Sequence, residues 1–324
     1  MPQPRFIADA FGVVAIVSLS ILIILGVLCI AYSLYLRSRI RSRILNQLTF
    51  FTSPWLVRII FVLLTILWSV SELLRLSLLR RKGEPLNRLS SKWQDTICKG
   101  YIVANLGFAE PCLFLTLLLL LRASLSNRMS NPHWTRKTFT VLLLFTSPIF
   151  ILHFITIHVS QSYPFRQRFP LKFTRSSTPS SLCTYPLLNT ILSGIVVAVL
   201  SAYFLWIGTR IMNRVINRIL RRRVYTLMVA VCCLFPMRVI LIGLSAMSEP
   251  DIVVFEVTVF MGFFCLVWCL GISIWVVVYF PVADALSFGG ESVVDESESI
   301  SFRTYDRNGF VELGLFAPSY HSAL

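Results

Sequence analysis

Charged and amide side chains interrupt the long apolar stretches of this sequence, at depths where a charge is costly and marks a functional candidate. The side chains that we select on this ground as a ligand site are Glu72, Asn105, Glu110, His153, Arg238 and Glu256. Carried by several helices, they would line one cavity. The alternative is a set of structural ion pairs, Glu72–Arg238 or Glu110–Arg238, since one arginine beside several carboxylates also neutralises itself.

The elements that carry these side chains are predicted to be membrane-spanning helices. Hydrophobic residues make up 56% of the 324 residues, charged residues make up 14%, and the mean hydropathy is +0.75. A soluble protein of this size needs more charge at its surface. Seven apolar stretches reach the roughly 20 residues that a span requires, near 10–36, 55–79, 98–121, 138–160, 185–208, 225–246 and 252–280. These stretches lack the alternation of apolar and polar residues that barrel strands show. We therefore predict an all-α membrane protein, a seven-transmembrane helix bundle.

The distribution of Lys and Arg predicts the orientation of the bundle. With the N-terminus outside, the segments on the cytosolic side hold 17 of these residues and those on the outer side hold 12. We therefore expect a short extracellular N-terminus at 1–9, a transmembrane domain at 10–286 and an acidic cytosolic tail at 287–324. The net charge of +15 points to anionic lipid as a partner and not to nucleic acid.

A basic segment follows the fifth predicted span. Arginines recur every four residues and apolar residues fill the other side, which predicts a basic amphipathic helix that continues the span into the cytosol. It would bind anionic membrane lipids or an acidic cytosolic partner such as a G-protein α subunit. The residues involved are Arg210, Arg214, Arg218, Arg221, Arg222 and Arg223.

The tail combines acidic residues with serines and a turn signal. Ser297, Ser299 and Ser301 stand among acids and are candidate phosphorylation sites. Asn308-Gly309 between alternating apolar residues predicts a β-hairpin with strands near 300–305 and 310–316.

Two cysteines and two prolines have positions that suggest structural roles. Cys98 and Cys183 belong to loops on the same side of the bundle, and an oxidising outer compartment would allow them to form a disulfide. Pro111 and Pro236 fall inside spans, where a missing N–H group is expected to kink the helix.

Signals for enzymatic chemistry are few. The four histidines do not cluster with carboxylates in the pattern of a metal site, and no Ser-His-Asp set or phosphate-binding loop stands out. We therefore expect no catalytic residues, no cofactor and no metal.

Five segments of the chain are distinctive: SELLRLSLLRRKG, WQDTICKGYIVANLGFAEPCLFLTLLLLLRA, FPVADAL, SISFRT and FVELGLFAPS. They resemble a plant family of seven-span membrane proteins that are regarded as candidate G-protein-coupled receptors, and the resemblance runs from near Phe11 to near Ser319. It implies a receptor-like topology. Cys233-Leu234-Phe235-Pro236 is similar to the receptor kink motif but lacks its tryptophan.

These observations favour a receptor-like seven-transmembrane protein of the plasma membrane with an unknown small ligand; an endomembrane location is the alternative. Two other functions stay open. A transporter would use the intramembrane Glu and Arg residues for substrate or proton coupling, and a membrane scaffold would recruit cytosolic partners through the basic segment and tail.

Overall fold

The computed structural model describes residues 3–43, 52–75, 91–123, 133–159, 185–215, 218–248 and 253–281. All regular elements within these ranges are helical, and seven helical segments are long and apolar enough to span a membrane. The all-helical, seven-span part of the prediction is confirmed. The orientation, the domain boundaries and the location stay predictions. The hairpin and Ser297, Ser299 and Ser301 lie outside the described residues.

The seven spans are formed by eight α-helices and two π-helical segments. They are α1 (Gln3–Arg43), α2 (Thr52–Arg75), α3 (Ser91–Ile102), a first π segment (Val103–Ala109), α4 (Glu110–Ala123), α5 (His133–Val159), α6 (Leu187–Arg214), α7 (Arg218–Met247), α8 (Val253–Ile274) and a second π segment (Trp275–Tyr279). The third span is α3, the first π segment and α4 together. The seventh span is α8 with the second π segment.

The basic segment at 210–223 continues the fifth span only as far as Arg214, so the prediction that the whole segment is one helix is wrong. Helix α6 ends at Arg214, Val215 takes an extended conformation (φ −84°, ψ 117°), and α7 begins at Arg218. The physical reason is the packing of α6 against α7, which requires the chain to reverse between them. An unbroken helix would also stack like charges four residues apart on one side.

The third span is the centre of the bundle. In its most apolar part 78% of the residues are buried, against 22% in the first and fourth spans. It contacts α2, α5 and α6, while α1 packs between α2 and α8, and α7 packs between α6 and α8. The ring of Phe114 in α4 lies edge-on to Phe204 of α6 (5.8 Å between centroids) and Phe235 of α7 (5.0 Å). Aromatic packing of this kind holds the fifth and sixth spans against the third.

Gly107 allows a close approach between the third and fourth spans. A Cβ atom at this position would lie 3.1 Å from the Cβ of His153 and 3.4 Å from the backbone Cα of Phe150. Neither atom is the end of a flexible side chain, so an alanine here would push the two spans apart. A Cβ at Gly100, in α3, would meet nothing within 4 Å.

We predict opposite effects for alanine at these two glycines. Gly107→Ala should lower the midpoint of thermal unfolding in detergent because of the contact with α5. Gly100→Ala, the matched control, should raise stability by about 0.5–1 kcal/mol, since alanine is the better helix former. Equal stabilisation by both variants would contradict the close approach.

Candidate functional site

A fully buried arginine on the sixth span lies between two buried carboxylates. Arg238 of α7 donates from Nη2 to Oε1 of Glu72 in α2 (3.0 Å) and to Oε1 of Glu110 in α4 (2.5 Å), and its Nε also donates to Glu110 Oε1 (3.0 Å). Exposure is 0% for Arg238, 3% for Glu72 and 2% for Glu110. Both ion pairs considered from the sequence are therefore present, and they join the second, third and sixth spans.

The seventh span and an aromatic ring complete the surroundings of the guanidinium. Nη1 of Arg238 donates to the backbone oxygen of Gly262 in α8 at 3.4 Å. The indole of Trp68, one turn before Glu72 in α2, lies 5.4 Å from the guanidinium carbon, within the range of a cation–π contact. Trp68 in turn stacks on Phe263 of α8 at 6.2 Å. Four spans thus meet at one cation.

A chain of hydrogen bonds continues from the carboxylates toward the fifth span. Asn105 donates from Nδ2 to Glu72 Oε1 (2.9 Å) and to the hydroxyl oxygen of Tyr101 (2.8 Å). The hydroxyl groups of Tyr101 and Tyr185 are 2.8 Å apart. Tyr185 lies just before α6. We call the six linked residues the buried polar cluster: Glu72, Tyr101, Asn105, Glu110, Tyr185 and Arg238.

The other two predicted site residues, His153 and Glu256, are not among these six linked residues. The Nδ1 atom of His153, in α5, lies 3.2 Å from Nδ2 of Asn189 in α6. His153 Nε2 is buried and has no hydrogen-bond partner among the described residues. Glu256 is half-buried near the start of α8. Four of the six selected residues therefore come together.

Sequence reasoning missed Tyr101, Tyr185, Asn189 and Trp68. Two of them had a usable signal, because Tyr101 precedes Asn105 by four residues and Trp68 precedes Glu72 by four, which places each pair on one helix face. Tyr185 lies just before α6 and Asn189 lies in its first turn. Neither is four residues from a side chain that was selected from the sequence.

The cluster holds one cation and two carboxylates in a place without solvent. If both carboxylates are ionised, their charge exceeds that of Arg238 by one, and the Asn105 amide group donates to one of them. Buried charges are stable only when paired and hydrogen-bonded. Chemically, such a cluster can hold helices together, exchange a proton, or release Arg238 to the anionic group of a ligand.

A small cavity adjoins the cluster between the third and fifth spans. Glu110, Pro111 and Phe114 line it from α4, and Ser193 and Val197 line it from α6. It has room for about one water molecule. A larger ligand at this place would require the two spans to separate.

The first π segment brings Asn105 and Glu110 to the same side of the third span. The backbone N–H of Glu110 bonds to the carbonyl of Asn105, five residues earlier, which is the π-helical pattern. In an α-helix residues five apart point about 140° away from each other. Here Asn105 donates to Glu72 Oε1, and Glu110 accepts from Arg238, which also donates to Glu72 Oε1. The π segment therefore acts as one inserted residue between them.

Both π segments precede a proline, and the first of these prolines is Pro111. The kinks at Pro111 and Pro236 stay predictions. Pro111 follows the first segment, and Pro281 follows the second, in which the N–H of Phe280 bonds to the carbonyl of Trp275. A wider turn relieves the clash of a proline ring with the preceding turn. Pro236, by contrast, lies inside the uninterrupted helix α7.

Cys98 forms a disulfide. Its predicted partner, Cys183, lies outside the described residues, so that pairing stays a prediction. The other cysteines of the described ranges are free thiols: Cys29, Cys112, Cys232, Cys233, Cys265 and Cys269.

The predicted basic residues flank the break between α6 and α7. The exposed ones are Arg210, Arg214, Arg218, Arg221 and Arg222. Arg223 is half-buried, and its guanidinium carbon lies 4.2 Å from the ring centroid of Phe280, at the end of the seventh span. Their role in binding a partner or lipid stays a prediction.

The seven apolar helices around a buried ion pair indicate an integral membrane protein of the multi-pass helical class. The chain belongs to the family described as "Uncharacterised conserved protein UCP031277", whose model matches residues 1–294. Neither a curated protein sequence nor a solved structure matches the chain. The family match covers all described helices. The resemblance to plant candidate receptors stays a prediction.

The buried ion pairs predict a large effect of removing the arginine. Arg238→Met should lower the stability of the detergent-solubilised protein by about 3–5 kcal/mol, since two carboxylates would lose their counter-ion. Arg122→Met, at the exposed end of α4, is the control and should change stability by less than about 0.5 kcal/mol. Similar small losses for both, measured by thermal unfolding, would contradict the role of Arg238.

The π segment predicts opposite outcomes for two single-residue deletions. Deleting Phe108 leaves Tyr101, Asn105 and Glu110 at four-residue spacings, so an ordinary α-helix keeps all three on one face. Deleting Ala104 instead turns Tyr101 and all residues before it by about 100° relative to Asn105. The first deletion should retain most of the thermal stability and the second should not. The reverse order would show that the π segment does not position the cluster.

Proposed function

We propose that this protein is a receptor-like seven-transmembrane protein of the plasma membrane, in which a ligand loosens the buried polar cluster and the sixth span carries the change to a cytosolic partner. The observation that supports this most is the position of Arg238 on the sixth span, held by carboxylates of the second and third spans. One cation thereby restrains the movement of one span relative to two others.

The sixth span is suited to transmit such a change. Helix α7 is continuous from Arg218 to Met247, and Arg238 lies 16 residues after Arg222, about 24 Å along the axis. A tilt at Arg238 therefore displaces the arginines at the start of α7. The contact between Arg223 and Phe280 joins that end to the seventh span and would change with the tilt.

The ligand chemistry follows from what holds the cluster together. A small molecule with a carboxylate or another anionic group would compete with Glu110 for Arg238. Since the cavity beside Glu110 has room for about one water, ligand entry requires the third and fifth spans to separate. We infer that the described conformation is the closed one and that ligand binding selects a more open one.

The second candidate is a transporter, favoured by the two carboxylates beside Arg238 and by the position of Glu110 at the cavity. A scaffold that recruits partners through its basic residues is the third. Glu110→Gln distinguishes them. It should abolish flux in a transporter, alter the ligand response of a receptor and leave a scaffold unchanged.

The proposal predicts proximity between this protein and a Gα subunit in intact cells. Changing Arg221, Arg222 and Arg223 to Ala should remove the signal, and Glu110→Gln should raise it without ligand because the sixth span is less restrained. Arg122→Ala with Lys137→Ala is the control pair, since it removes exposed basic residues from the third and fourth spans. All variants are compared at equal surface expression.

A signal no higher than that of an unrelated seven-span protein would contradict coupling to a G protein. In that case flux measurements on wild type and Glu110→Gln decide between the transporter and the scaffold.

A further inference from the structure

Helix α6 presents one apolar stripe to the outside of the bundle. Ile195, Val199 and Trp206 are 59%, 64% and 52% exposed, and their spacing of four and seven residues places them on one face. The opposite face, with Phe204 and Ile207, is buried. An exposed apolar stripe on a span-length helix is the surface that lipid chains cover.

The stripe ends in two arginines. Arg210 and Arg214 follow Trp206 at intervals of four residues and are exposed on the same side of α6. The guanidinium carbon of Arg210 lies 4.9 Å from the centroid of the Trp206 ring. From Val199 to Arg210 the helix rises about 16 Å, close to half the thickness of a bilayer's hydrocarbon core.

Other exposed aromatic residues mark the same end of the bundle. Tyr225 near the start of α7 is 55% exposed, and Trp275 and Tyr279 at the end of the seventh span are 55% and 50% exposed. The contact between Arg223 and Phe280 shows that these two helix ends are neighbours. Tyr and Trp concentrate where the hydrocarbon core meets the headgroups. Because Arg210 and Arg214 lie one and two turns beyond the exposed Trp206, we expect them among the headgroups.

We infer that α6 carries a binding site for an anionic phospholipid, whose acyl chains lie along Ile195, Val199 and Trp206 and whose phosphate lies between Arg210 and Arg214. Arginine pairs with phosphate through two parallel hydrogen bonds, and basic residues at a membrane surface attract anionic lipids. A protein partner is less suited to this position, because the two arginines continue the lipid-facing stripe. The site does not depend on the proposed receptor function.

Native mass spectrometry of the purified full chain tests the site, with equal amounts of phosphatidylserine and phosphatidylcholine that carry the same acyl chains. The wild type should retain phosphatidylserine preferentially. Arg210→Gln with Arg214→Gln should reduce that preference about fivefold for each arginine. Arg210→Lys with Arg214→Lys should keep part of it, because lysine conserves the charge but not the two parallel hydrogen bonds.

Arg122→Gln with Lys137→Gln is the matched control, since it removes the same charge from exposed positions outside the stripe. It should leave the preference largely intact. No preference in the wild type would overturn the inference, and so would a loss with the control pair as large as with the α6 pair. Thermal unfolding of each variant verifies the fold. The lipid test leaves Arg221, Arg222 and Arg223 unchanged. A failure of the lipid site is therefore distinguishable from a failure of Gα coupling.

Discussion

Arg238 carries a positive charge into the apolar centre of the bundle, where a single uncompensated ion would cost far more than any one packing contact contributes. Three groups from three other spans compensate this charge: the carboxylates of Glu72 and Glu110 and the backbone oxygen of Gly262. The geometry of the second, third, sixth and seventh spans is therefore coupled. Moving any of them changes the environment of one guanidinium group.

The backbone of the third span positions side chains that compensate the charge of Arg238. Its first π segment turns Asn105 and Glu110 to the same side, and Pro111 follows directly after the change to α-helix. The seventh span repeats the order of π segment and proline at Pro281. The sixth span instead stays α-helical through Pro236, although this proline removes one backbone hydrogen bond between Arg238 and the basic start of the helix. Movable helices with one shared cation are what the receptor proposal requires.

Much of the fold follows from the sequence, because a span needs only a long apolar run. The ion pairs also followed, since Arg238 is the one basic residue deep in a predicted span while Glu72 and Glu110 occur at comparable depths. Depth, however, says nothing of the direction in which a side chain points around its helix. For that reason His153 was grouped with Glu72, Glu110 and Arg238, although its Nδ1 atom lies beside Asn189 of α6.

Other features depend on contacts between distant parts of the chain. The π segment positions Asn105 and Glu110 for contacts with Glu72 and Arg238 of other spans, and the local signal, Pro111, does not reveal which side chains are turned to the same side. The break at Val215 follows from the packing of α6 against α7, whereas arginines every four residues favoured an unbroken helix. Tyr185 joins the cluster from outside any helix, where periodicity gives no information.

The most direct test of the central claim is a double-mutant cycle between Arg238→Met and Glu110→Gln, measured as unfolding free energy in detergent. We expect strong non-additivity, near the upper end of the roughly 0.5–3 kcal/mol found for residues in contact, because removing Glu110 matters less once Arg238 is gone. Losses that add to within about 0.5 kcal/mol would show that the two residues do not interact, and would contradict the role of Arg238 as the common centre of four spans.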